Sequence, residues 1–173
     1  MIKVSQTSLP GVLKIIRPVF QDHRGIYTEE YNEQEYYDAG IKIKWVSQTC
    51  SLSEKDVLRG LHGDPKTWKL ITCLCGEIYF VVLNYDPSSP SYGKWESFIL
   101  TPQNGLQILV PPMCANGHLI LSQTALFSYS QSEYYTDGKN QFSVRWNDPR
   151  FNIIWPIENP ILSARDSGTK KSL

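Results

Sequence analysis

Two polar residues beside an apolar stretch could carry out acid–base chemistry. His62 lies two residues after a glycine in a strand-like run, and Lys69 stands at the start of two apolar runs, 70–75 and 78–83. A histidine can take up or release a proton near neutral pH, and a lysine can stabilise a developing negative charge. A simpler interpretation stays open, in which His62 hydrogen-bonds a backbone carbonyl and Lys69 extends its ammonium group into solvent.

The sequence gives little support for metal or cofactor chemistry. It contains three histidines, His23, His62 and His118, and no H-x-H pair of the kind that metal-binding β-barrels use. The G-x-S-x-G, G-x-x-x-x-G-K-[ST] and G-x-G-x-x-G patterns are also absent. We therefore predict a site without metal or cofactor, in which His62 acts as an acid or a base.

Length and charge limit the classes of function. The chain of 173 residues fits one domain, 1–173, with a single core. Lysine plus arginine and aspartate plus glutamate both number 17, so no net charge favours nucleic acid or an anionic membrane. The amino terminus lacks an apolar signal segment, and no apolar run reaches the ~18 residues of a membrane span. We therefore predict a cytoplasmic protein in which a few well-placed cations hold any anionic ligand.

Short strands separated by turn residues must position these side chains. Apolar or alternating runs recur at roughly ten-residue spacing, with Gly, Pro and Asn between them. Beyond residue 40 the predicted strands are 44–50, 57–61, 70–75, 78–83, 95–100, 106–110, 118–121, 126–132 and 142–146. This pattern is typical of an all-β sandwich or barrel.

The segment before residue 41 contains two more predicted strands and one helix. The apolar run 11–20 and the alternating run 26–31 indicate the strands. Asn32 is a suitable helix N-cap, Glu35 follows three residues later as the second half of a capping box, and Gly40 stands just past the end. We therefore predict an all-β fold with one or two short helices.

Several segments resemble one family of sugar-modifying enzymes. The segments GVLKIIRPVFQDHRGIYTEEY, SQTCSLSEKDVLRGLH, LVPPMCANGHLILS, RWNDPRFNIIWP and ILSARD have the order and spacing of the dTDP-4-dehydrorhamnose 3,5-epimerase family, over about residues 9–167. The resemblance implies a cupin-type jelly roll, that is, a double-stranded β-helix. It also implies a metal-free homodimer whose amino-terminal strand crosses to the partner, and a nucleotide-diphospho-4-keto-6-deoxy sugar as substrate.

The resemblance assigns roles to four residues. The histidine of the R-G-L-H motif is His62, and the aspartate of the terminal S-x-x-D motif is Asp166. By the same matching, Lys69 would stabilise the oxyanion at C4 of the sugar, and Tyr129 would return a proton. Because a hydrogen beside a ketone is weakly acidic, a base and an acid on opposite faces would invert the carbon. Without the family match, Tyr129 could be a core tyrosine and Asp166 a solvated carboxylate.

The resemblance also implies a set of substrate-binding residues. They are Arg24, Arg59, Tyr27, Glu29, Gln48, Asn116 and Tyr135. Arg24 and Arg59 stand beside glycines and would contact the diphosphate, because a guanidinium matches phosphate oxygens. A surface ion pair is the alternative for each arginine.

Two departures from the family pattern bear on the substrate. Phe80 replaces an aspartate of the family's D-V-x-V-D motif, and Asn116 replaces the histidine of its A-H-G-F motif. We interpret the two changes as the replacement of one polar pair. They resemble a branch of the family that acts on GDP-linked 4-keto-6-deoxy-heptoses in capsule synthesis.

The predicted function is epimerisation at C3, and at C5 more slowly or not at all, with a full 3,5-epimerase as an open alternative. A GDP-linked heptose is the first candidate substrate and a dTDP-linked hexose the second. Two alternatives stay open. One is a ketoisomerase that moves the carbonyl between C3 and C4, and the other is a sugar-binding cupin without catalytic activity.

Overall fold

The chain folds into β-structure almost throughout. The computed structural model describes residues 1–135 and 140–168. Their strands are β1 (Lys3–Gln6), β2 (Leu13–Ile16), β3 (Phe20–Asp22), β4 (Gly25–Tyr27), β5 (Ser47–Glu54), β6 (Leu58–Gly63), β7 (Lys69–Cys75), β8 (Ile78–Asn84), β9 (Trp95–Leu100), β10 (Leu106–Val110), β11 (Cys114–Ile120), β12 (Thr124–Gln131) and β13 (Phe142–Ser143), and the helix is α1 (Glu33–Asp38). The all-β prediction is confirmed, with one short helix in the part described.

Two antiparallel sheets form the body of the molecule. The larger has the order β1-β2-β10-β7-β12-β5, and the smaller has the order β13-β6-β11-β8-β9. Strands that follow one another in sequence often lie in different sheets, as β6 and β7 do. This alternation is the arrangement of a jelly roll. The candidate residues His62 and Lys69, although seven residues apart, therefore lie on opposite walls.

An apolar core fills the space between the sheets. The larger sheet contributes residues such as Ile71, Ile108 and Phe127, and the smaller sheet contributes Phe80 and others. Strands β7 and β8 are buried on both faces for most of their length. Additional apolar clusters cover their outer faces, one with the amino-terminal segment and one with the carboxyl-terminal segment. Burial on both faces explains why these two strands are continuous apolar runs in the sequence.

Strand β11 is longer than the sequence indicates. It begins at Cys114, four residues before the predicted start, and it pairs with β6 on one side and β8 on the other. Asn116 and Gly117 have low β-propensity, so the pattern of the sequence hid this part of the strand. The consequence is functional, because Asn116 and His118 lie two apart on one strand and both reach the space between the sheets.

The helix begins as predicted, although one expected contact is absent. The side chain of Asn32 accepts a hydrogen bond from the backbone nitrogen of Glu35 at 3.2 Å, so the N-cap is confirmed. The carboxylate of Glu35 does not complete a capping box. It accepts instead from the backbone nitrogen of Ile2 at 3.1 Å, because the amino-terminal strand lies close by. Gly40 follows the helix with a φ of +87°, a conformation that glycine adopts without strain.

A small hairpin, β3–β4, lies outside the two main sheets. The second strand of this segment was predicted to run to residue 31, but it ends at Tyr27. The hairpin has a pair of exposed aromatic rings, Phe20 and Tyr27, of which 62% and 72% of the surface is accessible. Within the described residues, no helix has the length and hydropathy needed to cross a bilayer.

Candidate active site

A cavity of about 370 Å³ opens between the two sheets. Its lining comes from strands of both sheets and from the carboxyl-terminal segment. The lining residues are Thr49, Ser51, Arg59, His62, Lys69, Asn116, His118, Phe127, Tyr129, Gln131, Tyr135, Gln141, Ser163, Arg165 and Asp166. Among the residues that the structure describes, no group of three or more His, Cys, Asp and Glu side chains could hold a metal ion.

A histidine–aspartate pair occupies one wall of the cavity. Nε2 of His62 lies 2.7 Å from Oδ1 of Asp166, 104 residues further along the chain. The other carboxylate oxygen, Oδ2, accepts a hydrogen bond from the hydroxyl of Ser163 at 2.9 Å. Because an ionised carboxylate can only accept, the proton of neutral His62 is on Nε2. The lone pair is therefore on Nδ1, which is the ring nitrogen available as a base.

Asp166 is ionised in this setting. Its burial raises the carboxyl pKa, but the hydrogen bonds from His62, from Ser163 and from the backbone of Gly60 together outweigh burial, so the pKa is below its ordinary value. The side chain is 5% accessible. A buried carboxylate next to an imidazole stabilises the imidazolium that forms when the imidazole takes a proton.

Lys69 lies on the wall opposite His62 and has a neutral partner. Its Nζ donates to Oδ1 of Asn116 at 3.1 Å, a contact that joins β7 in the larger sheet to β11 in the smaller. Burial lowers the pKa of Lys69, and the negative charge of Asp64 only partly opposes this effect. An ammonium group has three donors, so Lys69 can also bind an oxyanion in the cavity.

Tyr129 faces the cavity from the larger sheet. It is on β12, where it pairs with Ile71 of β7 and with Thr49 of β5. Its ring is half-buried and packs near Phe127, with the ring centroids 5.6 Å apart. Among the described residues its hydroxyl has no hydrogen-bond partner. Since His62 belongs to the smaller sheet, the two side chains approach the cavity from opposite walls.

Two glycines allow β6 and β11 to approach closely beside the site. A Cβ atom on Gly60 would lie 2.7 Å from the backbone oxygen of Asn116 and from Cα of Gly117, and a Cβ atom on Gly117 would lie 2.9 Å from the backbone oxygen of Arg59. No side chain fits at these distances. The register between the strands shifts at this point, and His62 then pairs with Asn116. The glycine of the R-G-L-H motif thus has a structural function.

Three of the predicted substrate-binding residues line the cavity, namely Arg59, Asn116 and Tyr135. Nε of Arg59 donates to the hydroxyl of Ser53 at 3.0 Å, so the arginine has a neutral partner. The structure does not bring Gln48 to this cavity. Side chains alternate along a strand, and because Thr49 faces the cavity, Gln48 points to the outer face of the sheet, where it donates to Ser128 at 3.3 Å.

The remaining three predicted residues lie away from the cavity of their own chain. Arg24 is in the turn of the β3–β4 hairpin, where its guanidinium pairs with Asp22 at 2.7 Å. Tyr27 ends the hairpin, and Glu29 follows it and accepts from Asn32 at 3.1 Å.

Arg165 is a cavity residue that the sequence interpretation missed. Its guanidinium donates to the hydroxyl of Ser143 at 2.9 Å and to Oε1 of Gln141 at 3.1 Å. Both partners are neutral, so the cation can still bind an anion in the cavity. The only signal in the sequence was its position next to Asp166, a residue that the family resemblance singles out.

His118 was also missed, although it was one of only three histidines in the sequence. It lines the cavity and stacks on Phe127, with ring centroids 3.9 Å apart and an interplanar angle of 12°. Burial lowers the pKa of His118 to about 3, and the positive charge of Arg59 adds to the effect, so the ring is neutral at physiological pH.

The two departures from the family pattern, Phe80 and Asn116, lie on neighbouring strands and have different partners in this chain. Phe80 is fully buried, and its partner on β11 is His118, whereas Asn116 lies opposite Val82. Asn116 instead binds Lys69. Phe80 thus packs in the core next to His118, whereas Asn116 belongs to the polar part of the site.

Comparison with known proteins identifies the family. The family model described as dTDP-4-dehydrorhamnose 3,5-epimerase matches residues 6–172. The chain belongs to this family. It is therefore an isomerase of the carbohydrate-epimerase class. A dTDP-4-dehydrorhamnose 3,5-epimerase from Shigella flexneri is 35% identical over 174 residues, which cover 98% of this chain and 96% of the relative.

Solved structures agree in fold. A dTDP-6-deoxy-D-glucose-3,5-epimerase from Legionella pneumophila, in complex with dTDP-4-keto-L-rhamnose, matches with a TM-score of 0.90 and 31% identity, covering 97% of this chain and 91% of that chain. A 3′-monoepimerase from Streptomyces bikiniensis, in complex with dTDP-quinovose, matches with a TM-score of 0.87 and 26% identity, covering 94% and 84%. The cupin-type jelly roll predicted from the sequence is confirmed.

Proposed function

We propose that this epimerase inverts C3 of a nucleotide-diphospho-4-keto-6-deoxy sugar through an enolate. Nδ1 of His62 takes the proton from C3, and the electron pair of the C–H bond moves to the C4 oxygen. The hydroxyl of Tyr129 then donates a proton to C3 from the opposite face. Solvent returns a proton to Tyr129 and removes one from His62. The observation that carries this proposal is that the His62–Asp166 pair and Tyr129 lie on opposite walls of one cavity.

Lys69 and Asn116 supply the electrostatic part of the mechanism. The buried ammonium group of Lys69 would stabilise the C4 oxyanion. Its hydrogen bond to Oδ1 of Asn116 fixes its position and leaves the amide NH₂ of Asn116 free to donate to the substrate. No metal or cofactor takes part in this mechanism.

Inversion at C5 would be slower than at C3 or absent. The same base and acid could reach C5 after a shift of the sugar ring. However, the amide of Asn116 cannot exchange protons, whereas the family's histidine at this position can. The Streptomyces bikiniensis relative, described as a 3′-monoepimerase, supports the idea that this scaffold can limit inversion to one carbon.

A GDP-linked 4-keto-6-deoxy-heptose of capsule synthesis is the proposed substrate, and a dTDP-linked hexose is the second candidate. The replacements Phe80 and Asn116 favour the first, and the dTDP-sugar bound to the Legionella pneumophila relative favours the second. In either case Arg59 and Arg165, two cavity cations whose partners are neutral side chains, would bind the diphosphate.

Isotope exchange tests the proposed mechanism. Wild-type protein incubated with each 4-keto sugar in D₂O should introduce deuterium at C3 before C5, as followed by NMR. His62→Asn should lose about 10²–10⁴-fold in exchange rate, whereas His23→Asn, an exposed matched control, should not. Near-full exchange in the His62 variant would exclude the mechanism. A product with a moved carbonyl would indicate the ketoisomerase, and binding without exchange would indicate the non-catalytic cupin.

The homodimer is proposed from the position of Arg24, Tyr27 and Glu29. Since these residues lie away from the cavity of their own chain, we infer that they complete the cavity of a partner. Mixed dimers of Arg24→Ala and His62→Asn then contain one intact site, so a random mixture of two weakly active variants should recover about a quarter of wild-type activity. No recovery after confirmed subunit exchange would show that Arg24 acts in its own subunit or not at all.

A further inference from the structure

His118 is a buried polar side chain without a partner. It is 4% accessible, and its Nε2 atom is sealed from solvent with no hydrogen bond. The other ring nitrogen, Nδ1, likewise has no hydrogen-bond partner among the described residues, yet it is not one of the sealed atoms. Because the imidazole lines the cavity, Nδ1 is the nitrogen that faces it. Nδ1 can therefore hydrogen-bond a molecule bound in the cavity, whereas the sealed Nε2 cannot.

The ring is also held in one orientation. It stacks on Phe127 of the opposite sheet, and Phe80 lies directly across from it on β8. A buried N–H without an acceptor costs more than a lone pair without a donor, so the proton of the neutral ring belongs on Nδ1 and not on the sealed Nε2. His118 thus presents one fixed, uncharged N–H to the cavity.

The position of His118 along β11 indicates which part of the sugar it meets. Asn116, which holds Lys69 at the C4 oxygen, is two residues earlier, and that step is about 7 Å along a strand. Arg59, proposed to bind the diphosphate on C1, is the neighbour of His118 on β6. His118 therefore lies beside the group proposed to bind the C1 end of the sugar, and about 7 Å along the strand from the residue that holds the group at C4. The C2 hydroxyl is the polar group next to C3 in that interval.

We propose that Nδ1–H of His118 donates a hydrogen bond to the C2 hydroxyl of the substrate and makes the enzyme select sugars that carry it. This proposal rests on the proposed function, since the orientation of the sugar follows from the assignments of Lys69 and Arg59. The contact exists in the ground state and the transition state alike, so it acts on KM more than on kcat.

The test compares a substrate that has the C2 hydroxyl with its 2-deoxy analogue. The wild type should favour the hydroxylated substrate by about tenfold in kcat/KM, the range of one neutral hydrogen bond. His118→Phe should reduce this preference to about one by raising KM for the hydroxylated substrate alone. His118→Asn, which keeps an amide N–H near the place of Nδ1, should retain most of the preference. His23→Phe is the matched control and should behave as wild type.

The outcomes separate this proposal from the one on which it rests. Absence of turnover of any 4-keto sugar by the wild type would overturn the proposed function. Normal turnover with an unchanged preference in His118→Phe would overturn the role of His118. An equal loss on both substrates, together with weaker binding of the nucleoside diphosphate alone, would also overturn it, since the contact would then be to phosphate. His118→Phe removes a buried unpaired nitrogen, so circular dichroism should show an intact fold.

Discussion

Replacing Asp166 by asparagine tests whether the histidine–aspartate pair generates the base. The carboxylate now accepts from Nε2 of His62 across 2.7 Å and is itself held by Ser163. An amide at the same place can donate a hydrogen bond to Nε2. Such a bond favours the tautomer with its proton on Nδ1, so the lone pair that faces the cavity is lost. The substitution preserves volume, which keeps the packing of the carboxyl-terminal segment intact.

The expected loss follows from two contributions. Removal of a hydrogen bond to a charged group costs about 1.5–3 kcal/mol in stabilisation of the imidazolium, which corresponds to about 10–150-fold in rate. The change of tautomer adds to this, and in a comparable histidine–aspartate pair the two effects together reach about 10⁴-fold. Asp166→Asn should therefore lower the exchange rate at C3 by roughly 10²–10⁴-fold.

The measurement is solvent deuterium incorporation at C3 under single-turnover conditions. Asp148→Asn is a matched control, because Asp148 pairs with Arg150 away from the cavity. Ser163→Ala removes only the hydroxyl that holds Asp166 and should cost less than Asp166→Asn. A rate for Asp166→Asn within about threefold of wild type would refute the reasoning, since this is less than the loss of one charged hydrogen bond.

Four further predictions follow from the site. Tyr129→Phe should still exchange the C3 proton but return it to the same face, so NMR should detect deuterium without inversion. Lys69→Met should lower kcat by about 10²–10³-fold. Because burial lowers the pKa of Lys69, its ammonium group should lose its proton below about pH 10.4, the ordinary lysine value, and wild-type kcat/KM should fall as the pH rises through that range. Prolonged chelation should leave activity unchanged, and restoration by a divalent ion after its loss would contradict this. Since burial lowers the pKa of His118 to about 3, the unfolded chain binds a proton below about pH 6.5 that the folded chain does not. Urea unfolding at several pH values measures this difference. For each unit of decreasing pH, the free energy of unfolding of the wild type should fall by up to about 1.4 kcal/mol more than that of His118→Phe.

The four residues proposed to be catalytic do line one cavity, and the sequence could indicate them because their signals are local or motif-based. The R-G-L-H motif identified His62, and the buried runs after Lys69 became strands β7 and β8 almost as predicted. The helix could be predicted for the same reason, since its cap depends on Asn32 and a residue three positions later. Each of these features depends on a short stretch of sequence.

Features that depend on distant pairing could not be predicted. Strand β11 contains Asn116 and Gly117, and only its pairing with β6 and β8 makes this segment extended. His118 reaches the cavity for the same reason, and nothing local distinguishes it from a core residue. The side of β5 on which Gln48 lies is likewise set by the register with β12. A shift of one residue would reverse every such assignment.

The contact between Gly60 and Gly117 ties the chemistry of the enzyme to two residues that have no functional group. An alanine at either position would need space that backbone atoms occupy, at 2.7 Å and 2.9 Å. Relief of that overlap would separate β6 from β11, and His62 and Asn116, which face each other across this pair of strands, would move apart. Such a variant could keep its full set of catalytic side chains and its fold yet lose activity. In an engineered or naturally divergent relative, intact acid–base residues are therefore insufficient evidence of activity unless both glycines are also present.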